Sequence, residues 1–117
     1  WFDQELKTVL GLDVLAEPFD AARGWQVYAA PEADVLVIRR ENFAALPAAL
    51  SEFLGIPEPQ VINANIGTEK EYAALYRASL EQLKFPAEFV EAQYASQLSR
   101  HFYSVEELAA FRARWKE

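Results

Sequence analysis

The stretch VLVIRRENFAALPAALSEFLGIP, residues 35–57, decides how this chain is read. Val35-Leu36-Val37-Ile38 is an unbroken apolar, β-branched run of strand length. Arg39-Arg40-Glu41 follows at its exit, then a short loop. Pro47 suits the first turn of a helix, where a missing N–H costs nothing. Leu50, Phe53 and Leu54 supply that helix with an apolar face, and Gly55 with Pro57 ends it. Upstream, WQVYAA is a second strand-like run, separated from DVLVIRR only by Pro31-Glu32-Ala33. So short a separation fits a hairpin. A run of four consecutive apolar residues fits instead a strand covered on both faces, as in parallel sheets. The sequence leaves both arrangements open.

Outside this stretch the periodicity is helical. Phe2, Leu6, Val9 and Leu10 recur at helical spacing, with Gly11 as a C-terminal stop, and LDVLAEPFDAARG forms an irregular connection ending in a turn. PEPQVINANIG reads as a loop with a short extended piece at Val61-Ile62. Thr68-x-x-Glu71 and Ser104-x-x-Glu107 are capping boxes, in which side chains satisfy the orphan N–H groups of a helix start. The first opens a helix with Tyr72, Leu75, Tyr76, Leu80 and Leu83 on one face. Pro86 starts another, with Phe89, Val90, Tyr94 and Leu98 inward, and the second box opens a last helix with Leu108, Phe111 and Trp115 inward. The prediction is an α/β, predominantly helical single domain over residues 1–117, with four or five helices and two or three strands.

Composition removes several function classes. The chain has 117 residues, 52% of them apolar, so a folded core is expected. It contains no Cys, and its single His does not make a His-rich metal centre. No apolar run approaches the roughly 20 residues of a membrane span, and a cytoplasmic, soluble chain is expected. Eleven basic residues against 18 acidic ones give a net charge of −7, which repels nucleic acid and anionic lipid. There is no Met, and the chain begins at Trp1, so a piece of a longer protein is expected.

The candidates for chemistry are few. The four glycines, Gly11, Gly24, Gly55 and Gly67, are scattered, so they form no phosphate-cradling loop. G-x-S-x-G is absent, and a Ser-His-Asp system would need His101. His101 precedes the last capping box, where a histidine bonded to backbone is the plainer reading, and acid–base chemistry or acceptor binding the alternative. Arg39 and Arg40 point to opposite sides of an extended chain, so at most one faces any site. That corner either lines a ligand crevice at a sheet edge or ties the strand exit to a helix through a salt bridge. Asn63 and Asn65 share one side if extended, suited to sugar hydroxyls or a phosphate, but such residues more often make turns. Lys70 stands in a first helical turn, where a cation meets the positive end of the helix dipole. The aromatics, 14% of the chain, fall mostly on apolar faces and read as core. Arg112, Arg114 and Lys116 suit the negative end of the last helix.

The opening stretch resembles P-loop sulfotransferases, in which a buried strand ends in Arg-Tyr-Glu-Asp-Leu and a loop and helix finish in Glu-Phe-Leu-Gly and a Pro. Arg39, Glu41, Phe43, Glu52, Phe53, Leu54, Gly55 and Pro57 match in kind; Arg40 replaces the Tyr and Asn42 the Asp. With WFDQELKTVLGLDVLAEPFD, NANIGTEKEYAALY and RHFYSVEELAAFRARW, nearly the whole chain resembles the capsular polysaccharide synthesis family, a bacterial sulfotransferase-like group. The resemblance implies the C-terminal, acceptor-side portion of a P-loop sulfotransferase-like fold. Its parent would transfer a sulfuryl group from the co-substrate 3′-phosphoadenylyl sulfate to a glycan hydroxyl. The donor-binding loop of that family is not found here, so no cofactor site and no catalysis are expected of this chain alone. The residues the resemblance offers for acceptor binding are Arg39, Asn63, Asn65, Lys70, Arg100 and His101. A truncated sheet would leave a strand edge for pairing two copies. The alternatives are a non-enzymatic helical interaction or carbohydrate-binding module and, further off, a glycosyltransferase accessory domain.

Overall fold

The computed structural model describes residues 1–62, 64 and 70–117. The structure is α/β and predominantly helical, with six α-helices and one two-stranded sheet among the described residues. A π-helical segment, Phe2–Lys7, runs into a short α1, Thr8–Leu10. Strands β1, Trp25–Ala29, and β2, Asp34–Ile38, follow, then a 3₁₀ segment over Arg40–Ala45 and α2, Leu46–Leu54. The remainder is helical: α3, Ala73–Gln82; α4, Ala87–Tyr94; α5, Gln97–Phe102; and α6, Val105–Trp115.

The two strands form an antiparallel hairpin in which Trp25 pairs with Ile38 and Ala29 with Asp34. A connection this short cannot make the crossover that parallel strands need. The unbroken apolar run nevertheless has cover on both sides. Val35 and Val37 pack toward the main core, and β2 also packs against α2, whose Ala49 is fully buried.

The core is centred where the sequence shows no periodicity. Leu12 and Val14, in the connection between α1 and β1, pack with Tyr28 and Phe102. Phe2, Leu6, Leu10 and Phe19 close around them, and the Phe102 ring sits 5.3 Å from Phe2 and 4.8 Å from Phe19. Burying one such side chain contributes about 1.5–3 kcal/mol, whereas an exposed ion pair such as Lys7–Asp13 is screened by solvent and contributes far less. The Tyr28 hydroxyl donates to the Pro18 carbonyl at 2.9 Å, which holds this irregular segment against the sheet.

Other expectations are revised. The helix expected from Pro86 through Leu98 breaks at Ala95. Ser96 then caps α5 by accepting from the Ser99 N–H, and Ser99 Oγ donates to the Gln93 carbonyl, which stabilises the corner. The apolar face expected to bury α3 does not: Tyr72, Leu75 and Tyr76 are all at least half exposed, and Leu75 is 71% exposed. The last turn of α3 is instead fastened to α6, with Arg114 donating to the Leu80 carbonyl and Lys84 to the Arg114 carbonyl. Trp1 is exposed as well. The Cα radius of gyration, 17.2 Å, exceeds the about 13 Å of a compact domain of this length. The Thr68 capping box lies outside the described residues, while the Ser104 box is fully formed. Val61 and Ile62 are exposed and belong to no strand.

Gly24 closes the hairpin. It adopts φ +81°, and an added Cβ would run into the Asn42 side chain. Gly55, the cap of α2, has φ +64° with open space around it. Gly55→Ala therefore carries only the left-handed backbone penalty of about 1–2 kcal/mol. Gly24→Ala carries that penalty plus displacement of Asn42. Chemical denaturation of the two variants should show the larger loss for Gly24→Ala; equal losses would mean that Asn42 does not rest on Gly24.

Candidate functional site

Arg39 leaves β2 in an extended conformation and turns its side chain into the protein, where it is only 7% exposed. Its Nε donates to Asn42 Oδ1 at 2.9 Å. Nη1 donates to the Phe102 carbonyl at 3.0 Å and to Glu107 Oε2 at 2.8 Å, and Nη2 to the Ala21 carbonyl at 3.0 Å. Four of the five N–H directions of a guanidinium are thus committed within the chain. The backbone N–H of Arg39 also donates to the Gly24 carbonyl at 3.0 Å. One residue therefore ties the connection before β1, the 3₁₀ segment, the end of α5 and the start of α6.

Glu107 is the matching node. Its Oε2 accepts from both Arg39 and the Ser104 N–H, each at 2.8 Å, so the capping box of α6 also holds the arginine. The hydrogen bond from Arg39 keeps the Glu107 carboxyl below its ordinary value near 4.5, against the opposing effect of burial. The strand-exit arginine joined to a helix, one of the two sequence readings of this corner, is therefore present as an ion pair to α6.

Tyr103 stands beside this junction with the Arg39 guanidinium 5.0 Å from its ring centre, and its hydroxyl donates to Glu41 Oε2 at 3.2 Å. Burial first, then the Glu41 carboxylate, pushes the Tyr103 phenol up, so it stays a protonated donor. Two hollows meet at Tyr103. One, of about 180 Å³, lies between β2 and α5 and is lined by Phe2, Val37, Arg39, Leu98, Ser99 and Phe102. The other, of about 220 Å³, is walled by Glu41, Tyr94, Phe111 and Trp115 together with Tyr103. The second opens toward a further apolar hollow of about 220 Å³ that shares Tyr94 and Trp115 and continues to Leu83, Phe85 and Phe89.

The walls of the second hollow are themselves braced. Phe111 packs edge-on to Tyr103 with ring centres 5.2 Å apart and lies 5.7 Å from Tyr94. Arg112 and Lys116 both bond Glu91 on α4, at 2.9 and 3.1 Å, holding α4 and α6 together on either side of the rings. The basic residues at the end of α6 thus serve as links to neighbouring helices.

Of the residues proposed from sequence, only Arg39 belongs to this junction among the described residues. His101 sits in the last turn of α5 beside Phe102 and Phe19, and its buried Nε2 meets no hydrogen-bond partner among the described residues. Arg100 occupies the same turn with its side chain exposed. Lys70 stands exposed ahead of α3, on another element. Asn63 and Asn65 lie outside the described residues. Sequence reasoning missed the aromatic hollow because Tyr94, Phe111 and Trp115 recur at helical spacing and so read as core. Glu41 stood in the strand-exit run Arg39-Arg40-Glu41, but nothing in the sequence marked it as facing a hollow. Among the described residues there is no group of acids, histidines or cysteines that could hold a metal ion, and no helix is long and apolar enough to cross a membrane.

The Glu107 carboxylate gives the junction a pH dependence of definite sign. A carboxyl held below its ordinary value adds stability above that value and loses it as the pH falls through the folded one. Unfolding midpoints of the wild type should fall on acidification below about pH 4.5. Glu107→Gln should be less stable at neutral pH and show a shallower acid decline. An acid decline that is unchanged in Glu107→Gln would mean that other carboxylates carry it.

Comparison with known families gives one match. Residues 1–104 match the NKWYS family, described as "Putative capsular polysaccharide synthesis protein". No curated protein matches the chain. No solved structure matches it. The match takes in the hairpin, Arg39, Glu41 and the helices up to the α6 cap, and the chain belongs to this family of capsular polysaccharide synthesis proteins.

Proposed function

We propose that this chain is the acceptor-side portion of a sulfotransferase-like protein of surface polysaccharide synthesis, and that the ring-walled hollow beside Arg39 receives the glycan. The observation that carries the reading is the hollow's make-up. Tyr94, Tyr103, Phe111 and Trp115 offer flat apolar surfaces, and the Glu41 carboxylate is placed among them. Pockets for small molecules combine mostly apolar walls with a few placed polar groups. A pyranose matches that pattern, with C–H faces to lie on rings and hydroxyls to donate to a carboxylate. The family membership supports a polysaccharide setting.

In the proposed parent reaction an acceptor hydroxyl oxygen bonds to the sulfur of 3′-phosphoadenylyl sulfate while the bond from sulfur to the phosphate oxygen breaks. The hydroxyl proton passes to a base, and adenosine 3′,5′-bisphosphate leaves. Such a transfer needs donors that stabilise anionic oxygens and a base at the acceptor. The acceptor is all that is assigned to this chain; Arg100 and His101, in the last turn of α5, are further groups to test. The donor nucleotide is assigned to no residue here.

The exposed face of α3 favours a second reading, in which the chain is a non-enzymatic module that docks a partner or pairs with another copy. One assay separates the two. The protein from the complete gene, incubated with radiolabelled 3′-phosphoadenylyl sulfate and surface glycan, should transfer label to the glycan, and this chain alone should not. The absence of transfer by the complete protein to any surface glycan would overturn the enzymatic reading, as would turnover by this chain alone.

A further inference from the structure

The second hollow has an electrostatic character that the acceptor reading leaves unused. Glu41 is the only charged residue lining it among the described residues. Among the described residues Glu41 forms no ion pair, and its recorded hydrogen bond is the one accepted from Tyr103. Three cations around it are paired with other acids: Arg39 with Glu107, and Arg112 and Lys116 with Glu91, while Arg40 next in the chain is exposed. The rings contribute with the same sign. An aromatic face is the negative side of a quadrupole and attracts cations. Tyr103 and Tyr94 already draw guanidinium groups to 5.0 and 5.9 Å from their centres. Phe111 and Tyr103 meet at 84°, so the walls form a corner rather than one flat platform. The hollow's volume, about 220 Å³, is below the range of pockets that hold drug-sized ligands.

We infer that this hollow takes an organic ammonium group, carried by an amino sugar whose nitrogen is not acylated. The inference rests on the acceptor reading for its carrier, while the recognition chemistry belongs to Glu41 and the rings. An ammonium would be held by the Glu41 carboxylate within the corner of rings formed by Tyr94, Tyr103, Phe111 and Trp115. An N-acetylated sugar has no charge to offer, and a uronate would be repelled.

The test is an NMR titration of the Trp115 indole and the ring signals of Tyr94 and Tyr103. The ligands are glucosamine, N-acetylglucosamine, glucuronate and tetramethylammonium at matched ionic strength. Glucosamine and tetramethylammonium should both shift these signals, with N-acetylglucosamine weaker and glucuronate weakest. Glu41→Gln, which keeps an acceptor for Tyr103, should weaken glucosamine roughly fivefold, the size of one partly exposed charge pair. It should leave the melting temperature unchanged and weaken N-acetylglucosamine clearly less than glucosamine. N-acetylglucosamine binding as tight as glucosamine, and indifference to Glu41→Gln, would overturn the ammonium site and leave the acceptor reading standing. Binding of tetramethylammonium with no response to any sugar would uphold the ammonium site and overturn the acceptor reading. Silence with every ligand would overturn both.

Discussion

The buried guanidinium of Arg39 is the constraint on which the rest of this structure depends. Taking a charge out of water costs several kcal/mol unless it is paired and its hydrogen bonds are made. Here an amide, two backbone carbonyls and a carboxylate surround it, and each comes from a different part of the chain. Satisfying Arg39 therefore fixes where four segments sit relative to the hairpin. Two of those contacts also serve other structure. Glu107 is simultaneously the N3 residue of the α6 capping box, and Asn42 lies against Gly24 at the base of the hairpin. The same atoms close a helix, close a hairpin and neutralise a cation.

The placement of the aromatic hollow follows from this junction. Ordering the end of α5 and the start of α6 puts Tyr103 between the arginine and Phe111. The 3₁₀ segment that follows Arg39 carries Glu41 to the Tyr103 hydroxyl. Helices α4 and α6 then complete the wall, clamped by Glu91 to Arg112 and Lys116. The corner at the exit of β2 thus contributes in two ways. Its arginine holds the scaffold, and its acid faces the hollow.

Much of the fold was legible from local signals. Gly11 and Gly55 end helices in the left-handed conformation that their positions after apolar runs suggest, and Ser104-x-x-Glu107 forms both of its reciprocal bonds. The hairpin was one of two arrangements the sequence left open, and the short connection decides it; partial cover by the core and by α2 explains the apolar run that argued the other way. What was not legible is long-range. Leu12 and Val14 sit in a segment with no period, and they are core because Tyr28 and Phe102 meet there. The apolar stripe of α3 is as clear in sequence as that of α6, yet it stays exposed, because periodicity states which face is apolar and not whether anything covers it. The site was readable in part. Arg39 stood out, while Glu41 was not among the proposed site residues, and Tyr94, Phe111 and Trp115 looked like core because lining a hollow and filling a core demand the same spacing.

The most direct test of this account is a double-mutant cycle on Arg39→Met and Glu107→Gln, read as unfolding free energies at neutral pH. If the arginine and the capping-box glutamate form one node, the two losses fall short of additivity by about 1–3 kcal/mol, as expected for contacting members of a network. Losses that add to within about 0.5 kcal/mol would mean that the residues act independently, and Arg39 would not be what joins α6 to the hairpin.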